Sequence, residues 1–363
     1  MMDADRDVYT LEYFINGIEL PDKEIVKNAQ KRWDRVAKPL HSLGLLEDAI
    51  IKIAGITRNI DAPVDKKAVI MMCADNGVIE EGVTQTDSSV TAIVTRQFTK
   101  GESCVCLMAK RAGAMCIPVD IGVAQELDDI GDVYPLRTMK ISKGTKNFRK
   151  VPAMTMEEVT RAILIGIDLV RECKEDGYHM LAVGEMGIGN TTTSSAVASV
   201  LLQVTPEEVT GKGAGLSKEG LEKKIQVIKE AIVLHNVNAE KPLEVLQMVG
   251  GLDLAGMVGL FLGGAYYKIP MLMDGMISAT AALVATRICP HVKEYILASH
   301  VSKEPAGQLL LDMLGLKPLL ACEMCLGEGT GAVASMPLFD MAHDIYKSMN
   351  TFEDIKIEEY KPL

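Results

Sequence analysis

Two glycine-rich stretches hold the residues best suited to do chemistry. The first is Gly184-Glu185-Met186-Gly187-Ile188-Gly189-Asn190-Thr191-Thr192, which follows a short apolar run and leads into a segment of helix-compatible residues. Its spacing almost matches the phosphate-binding loop G-x-x-x-x-G-K-[ST], with Asn190 standing where the lysine belongs. Glycines there let backbone N–H groups converge, and the start of a helix attracts an anion. Without the lysine, a triphosphate loses the cation that neutralises its outer phosphates, so a monophosphate is the better match. The alternative is a tight strand–helix turn that uses glycine only for its backbone angles.

The second stretch is Gly327-Glu328-Gly329-Thr330-Gly331, a carboxylate between glycines just before the last helical segment. Glu328 suits a general base if a ligand must lose a proton; it can equally serve the dipole of the helix that follows. A third loop, Thr210-Gly211-Lys212-Gly213-Ala214-Gly215-Leu216, is glycine-rich and basic, with Lys223 and Lys224 beyond it. Either lysine reaches a phosphate or lies on a solvated helix face.

These residues need a scaffold, and the hydrophobic pattern describes one. Apolar runs at 68–74, 115–121, 179–183, 269–273 and 294–298 alternate with helical segments. Continuous apolar strands separated by helices imply a parallel sheet covered on both faces. Pro118 in the second run suggests an edge or a bulge. Four strand ends carry polar or glycine-rich sequence, namely Asp75-Asn76-Gly77, Gly184-Glu185, Asp274-Gly275 and Ser299-His300. Ligands of parallel sheets bind beyond the carboxyl ends of the strands, so four such ends together suggest a site.

The helices are signposted too. Thr155 with Glu158, and Thr205 with Glu208, each fit a capping box, the second with Pro206 at the first helical position. Val159, Ile163, Ile167 and Val170 form one apolar stripe after the first box. The run 254–267 is broken by glycines, is too short to span a bilayer and reads as a buried helix. Residues 1–60 look helical, with Ile25, Ala29, Trp33, Val36 and Leu40 at helical spacing. A last helix from about 331 to 349 carries Met336, Phe339, Met341 and Ile345, and the tail after Thr351 looks loose. The helical segments at the two chain ends, 1–65 with 332–363, are expected to pair as a small lobe beside a large α/β domain at 66–331.

Composition narrows the class. At 363 residues, 48% hydrophobic and 24% charged, the chain has the makings of an enzyme with a sizeable core. A net charge of −11 argues against nucleic acid, which needs a basic footprint. The acidic Met1–Asp7 start has no apolar signal core, so a cytoplasmic, non-membrane protein is expected. Eight cysteines in such a chain read as reduced thiols. Cys322 and Cys325 form a C-x-x-C with no second pair or histidine spacing, so no metal site is expected.

Taken in order, Ala74-Asp75-Asn76-Gly77-Val78 with Glu81-Gly82-Val83, Gly144-Thr145-Lys146-Asn147-Phe148 with Pro152-Ala153-Met154, the 184–192 loop, Asp274-Gly275, Ser299-His300 and Leu326-Gly327-Glu328-Gly329-Thr330-Gly331 resemble one family. It is that of nicotinate-nucleotide–dimethylbenzimidazole phosphoribosyltransferase, and the similarity runs from about residue 30 to 350. The resemblance implies a Rossmann-like parallel sheet with helices on both faces and a small helical lobe from both chain ends. It implies transfer of phosphoribose from β-nicotinate mononucleotide to an aromatic base such as 5,6-dimethylbenzimidazole. The products would be an α-ribazole-type 5′-phosphate and nicotinate, in assembly of the cobamide nucleotide loop. It also implies a dimer, whether homodimer or heterodimer with a paralogue, and no cofactor.

By the same resemblance Glu328 is the catalytic base. Gly184, Met186, Gly187, Ile188, Gly189, Asn190, Thr191, Lys224, Asp274 and Ser302 hold the nucleotide, while Val83, Thr86, Val94, Leu326 and Glu328 line the aromatic-base pocket. Glu185 is expected to oppose positive charge at the ribose during transfer. The chain departs from the family pattern at Asn76, where histidine is common, at Cys325, where arginine is common, and at Val94, in place of a polar glutamine. These changes border the acceptor pocket, so they bear on which acceptor is used. A phenolic acceptor is one alternative, and a non-catalytic paralogous subunit is another; retention of Glu328 speaks against the latter.

Overall fold

Helices precede the first strand, and strand and helix alternate from there. The computed structural model describes residues 10–360, so the Met1–Asp7 stretch and residues 361–363 of the expected lobe lie outside the described residues. Helices α1 (Leu11–Asn16), α2 (Lys23–Arg35) and α3 (Leu45–Thr57) lead to β1 (Lys67–Ala74). Then come α4 (Ser89–Lys100), α5 (Cys104–Ala112), β2 (Ala114–Gly122), β3 (Arg137–Thr138) and α6 (Met156–Glu175). Strand β4 (Met180–Met186) feeds α7 (Asn190–Leu202), α8 (Pro206–Val209), α9 (Lys218–Leu234), α10 (Pro242–Val249) and α11 (Leu252–Tyr267). The chain continues through β5 (Met271–Met273), α12 (Met276–Ile288), β6 (Ile296–Ala298), α13 (Ala306–Leu314) and α14 (Thr330–Ser348).

All six strands are parallel, in the order β3-β2-β1-β4-β5-β6. The chain leaves β1 to one side and returns on the other, so the topological switch point lies between β1 and β4. The five apolar runs are all strands; β3 is the addition, too short and polar to stand out in sequence. It pairs only with Val119 and Asp120 of β2, leaving Pro118 outside that ladder. The register slips where Ala74 pairs with Gly122 and skips Ile121.

Strand β1 shows why its sequence is apolar throughout. Ala68, Ile70, Met72 and Ala74 join the core under α6, α11 and α12, whereas Val69, Met71 and Cys73 join the core under α3, α5 and α14. Period-two alternation thus feeds two cores at once. Both expected capping boxes form, at Thr155–Glu158 and Thr205–Glu208. Among the described residues no helix is long and apolar enough to cross a membrane.

Helices from the two chain ends meet on one face of the sheet. Trp33 of α2 packs on Tyr346 of α14 with ring centroids 5.1 Å apart, and Lys38 makes a buried 2.6 Å ion pair with Glu47 of α3. This packing is continuous with the sheet core through Val69, Met71 and Phe339, and Lys67 of β1 reaches Asp340 of α14 at 2.7 Å. Two details differ from the sequence reading. The buried stripe of α14 is Met336, Phe339, Ala342 and Tyr346, while Met341 is exposed, because the helix presents a face offset by one residue. The tail is anchored, since Thr351 bridges Val36 and Phe352 is buried after donating its N–H to the Arg35 carbonyl at 3.0 Å.

Helix α11 is buried from 252 to 265 and lies close against α6. A Cβ at Gly259 would fall 2.0 Å from the Ile163 carbonyl oxygen, and one at Gly166 would fall 2.2 Å from that of Gly256. The helices approach this closely only without side chains there. Gly259→Ala should therefore destabilise the protein by about 1–3 kcal/mol or more, measured by urea unfolding; unchanged stability would show that the two helices can part freely.

Candidate functional site

The strand ends at the switch point converge on a cavity of about 290 Å³. Of the residues expected from sequence, Val83, Val94, Glu185, Met186, Gly187, Ile188, Gly189, Asn190, Thr191, Lys224, Asp274, Ser302, Leu326 and Glu328 line it. Gly184 and Thr86 do not. Thr86 is exposed in the loop before α4, whose Thr84 and Gln85 face the cavity instead. Gly184 has a different task. A Cβ on it would lie 2.4 Å from the Glu328 carbonyl oxygen, so the glycine lets β4 and the 327–329 loop touch backbone to backbone.

The 184–192 stretch divides differently from its sequence reading. Gly184, Glu185 and Met186 belong to β4, and Asn190 and Thr191 to the first turn of α7, leaving a three-residue turn between them. Helix α7 starts without a side-chain cap, and its open end faces the cavity as a positive pole. The Ile188 N–H donates to Thr91 Oγ1 at 3.0 Å, which pins the turn from behind. A cation stands beside it after all. Lys224 of α9 is 1% exposed, and its Nζ donates to Thr191 Oγ1 at 2.9 Å and to the Gly211 carbonyl at 3.2 Å. Burial pushes its ammonium down to about 8, and the Glu304 carboxylate opposes that shift. Lys223, its neighbour, is exposed.

The other end of the cavity is acidic. Glu328 has φ +63°, in the left-handed region that non-glycine residues rarely adopt. Its Oε2 accepts a 3.4 Å hydrogen bond from Val105 N–H in the first turn of α5. Burial raises its carboxyl above the ordinary range, Val105 N–H draws it back, and the Asp274 charge adds to the rise. Asp274 itself is committed to structure. Its two oxygens accept from Ala332 N–H at 2.9 Å and Gly329 N–H at 3.2 Å, capping α14.

Glu185 sits between the two ends, buried. Its Oε2 accepts from the Asn190 side-chain amide, and its Oε1 accepts from Glu328 N–H at 3.3 Å. Burial, with the charge of Asp253, pushes its carboxyl up to about 8. Asn190, standing at the position of a P-loop lysine, thus holds a carboxyl in place.

The Ser299-His300 strand end also contributes. Ser299 Oγ donates to the Met273 carbonyl at 2.6 Å, so His300 Nδ1, 3.0 Å away, is the donor between the pair. Sequence reasoning missed Gln85, Ser278 and Glu304, for which no local signal exists. It also missed Asp253, which did leave a signal as an acidic residue at the start of an otherwise apolar helical run. The described residues contain no group of three or more His, Cys, Asp or Glu placed to hold a metal ion, and both Cys322 and Cys325 are exposed.

Known proteins resemble this chain over most of its length. A family model described as phosphoribosyltransferase matches residues 18–357. The chain is 49% identical over 340 residues to a nicotinate-nucleotide–dimethylbenzimidazole phosphoribosyltransferase of Acetivibrio thermocellus, covering 94% of this chain and 96% of that one. It is 46% identical over 353 residues to the protein of that name in Clostridium acetobutylicum, covering 97% and 99%. Among solved structures, CobT from Thermus thermophilus superposes with a TM-score of 0.87 at 36% identity, over 93% of this chain and all (100%) of that one.

The pairing of a buried lysine with an uncapped helix start makes an anion site. Lys224→Met should weaken inorganic phosphate binding by about 1.5–3 kcal/mol, read from the phosphate dependence of the melting temperature. Equal phosphate stabilisation in the variant would remove the lysine from the anion site.

Proposed function

The chain belongs to the nicotinate-nucleotide–dimethylbenzimidazole phosphoribosyltransferase family, and we propose that its cavity moves 5-phosphoribose from β-nicotinate mononucleotide to an aromatic base. The products are an α-ribazole-type 5′-phosphate and nicotinate, and the protein is a pentosyltransferase of cobamide assembly. The observation that carries this reading is the pairing, in one cavity of about 290 Å³, of an anion grip at α7 and Lys224 with a carboxyl at Glu328.

The 5′-phosphate docks at the 187–191 turn, where Lys224 and the open N-terminus of α7 neutralise it. Ser302 completes the nucleotide contacts, and Asp274 keeps the 327–329 loop in place by capping α14. The aromatic acceptor lies against Val83, Val94 and Leu326. Glu328 accepts its ring N–H proton as the new C–N bond forms, and the elevated basicity that burial gives this carboxyl suits the task. Nicotinate leaves from a pyridinium, so its departure takes the C–N electron pair, cancels the positive charge and needs no acid. Attack on the face opposite the leaving group gives inversion from β to α. Glu185, when ionised, opposes the positive charge that develops on the ribose. No step is a redox step.

The apolar Val94 and the exposed Leu326 support a second acceptor class, the phenols, whose hydroxyl proton Glu328 would take in the same way. The family resemblance supports a dimer in the cytoplasm, with the 1–65 and 332–363 segments as its small lobe. Light scattering on the purified protein tests the dimer.

Mixing the protein with nicotinate mononucleotide and a panel of benzimidazoles, adenine and phenols should release nicotinate with at least one acceptor; silence with every acceptor would sink the reading. Glu328→Gln should lower kcat by about 10²–10⁴-fold with nucleotide affinity largely kept, and undiminished turnover would exclude Glu328 as base. Lys224 also predicts proton traffic. At pH 8 about half of the free enzyme carries a neutral Lys224, and a bound phosphate dianion favours the charged form. Lys224 should therefore contribute uptake of a fraction of a proton on nucleotide binding at pH 8 and almost none at pH 6.5, read calorimetrically, in buffers of different ionisation enthalpy, as the difference between wild type and Lys224→Met. No difference between the two proteins at pH 8 would exclude Lys224 from the phosphate site.

A further inference from the structure

Behind the 187–189 turn, out of contact with the cavity, lies a carboxyl that the mechanism above does not use. Asp253 is fully buried at the start of α11, a helix whose other residues through 265 are uncharged. Its Oδ1 accepts from Leu254 N–H at 2.9 Å, and its Oδ2 has no hydrogen-bond partner. Beside it stands Asn76, also fully buried, with Oδ1 likewise unpartnered. The two groups crowd the same space. A Cβ at Gly187 would meet Asp253 Oδ2 at 2.7 Å and the Asn76 amide nitrogen at 3.0 Å, and one at Gly251 would meet Asp253 Oδ1 and Asn76 Oδ1, each at 2.5 Å.

The link to the site is Asn190. Its NH₂ donates to Glu185 Oε2, and it faces Asp253 on the other side. Two buried carboxyls therefore flank one amide, and neither has an ion-pair partner among the described residues. The charged groups on surrounding elements are engaged elsewhere. Asp75 accepts from Ala124 N–H, Asp120 pairs with Lys140, and Asp274 caps α14. On α12 Arg287 reaches the Leu201 carbonyl, on α10 Glu244 pairs with Lys241, and on α6 Arg171 pairs with Asp168 and Glu175 near Tyr267 at the far end of α11. Glu328 touches Glu185 only through its backbone N–H.

Two buried carboxyls that flank one amide with no cation paired to either cannot both ionise at ordinary cost. We infer that Asp253 and Glu185 form a one-proton dyad in which Asp253, never touching the ligand, governs when Glu185 bears charge toward the ribose. The positive end of α11 and the Leu254 N–H favour the charge on Asp253 in the free enzyme, so Glu185 keeps the proton. Burial pushes both groups up, Asp253 to about 7 and Glu185 to about 8, and the Asp253 charge contributes to the second rise. A nucleotide arriving with its pyridinium cation beside Glu185 tips the balance: the dyad's one proton passes to Asp253, and Glu185 is left charged where the positive charge will develop. Asp253 is thus a positioning residue, and this inference rests on the role proposed for Glu185.

The test compares the pH dependence of kcat/KM for wild type, Asp253→Asn and Glu185→Gln, using nicotinate mononucleotide and dimethylbenzimidazole. Asn at 253 removes the competing charge at constant shape, so the acid limb should move down by about one pH unit or more. A uniform drop in rate with a superimposable profile would overturn the dyad while leaving the Glu185 role standing. Full turnover in Glu185→Gln would sink that role and the inference with it. Infrared spectroscopy of the ligand-free full-length enzyme at neutral pH decides the matter even if Asp253→Asn fails to fold. A protonated-carboxyl band should be present in wild type and clearly reduced in Glu185→Gln, where only Asp253, at about 7, is left to contribute to it. No such band in wild type would overturn the inference.

Discussion

The site depends on one backbone contact, the meeting of β4 with the 327–329 loop across Gly184. With no side chain at 184, the Glu328 carbonyl can lie against the strand, and the Glu328 N–H reaches Glu185 Oε1 at 3.3 Å. That contact fixes the distance between the sheet and the start of α14. Asp274 caps α14 from the neighbouring strand end, so the loop is held from two strands at once. Glu328 can then keep a left-handed backbone and aim its carboxyl at α5. The strain is sustained because the surroundings over-determine it.

Electrostatics divide the cavity along its length. At one end an uncapped helix and a buried ammonium form a positive pole; at the other stand the carboxyls of Glu185 and Glu328, which become negative on ionisation. A nucleotide monophosphate whose base is a cation matches that division, phosphate to the first pole and ribosyl centre to the second. The arrangement is expensive for the empty protein, since Lys224, Glu185 and Asp253 are all buried without ion pairs among the described residues. Their perturbed ionisation is what makes them responsive to a ligand.

The switch point explains why these groups meet at all. Strands β1 and β4 are neighbours, yet their chains depart to opposite sides, opening a crevice at the strand ends. Asn76 and Asp75 come from one strand, Glu185 and the 187–191 turn from the other, and α11 passes beneath with Asp253. Close helix packing, through Gly166 and Gly259, brings α11 near enough to place that carboxyl behind the turn.

Local sequence determined a good deal by itself. Apolar runs predicted five of the strands, capping boxes predicted the starts of α6 and α8, and the glycine-flanked Glu328 marked one pole of the site. Each follows from hydrophobic periodicity or turn chemistry, which act over a few residues. Only the tertiary structure decided which of two adjacent lysines is buried, because one step along α9 turns a side chain by more than a quarter of the helix circumference. It alone withdrew Thr86 from the cavity and gave Gly184 to packing. It also joined Glu328 to Val105, 223 residues away in the chain, and Asp253 to Asn190. Such pairings arise when elements remote in sequence dock, and no local pattern encodes where two surfaces will meet.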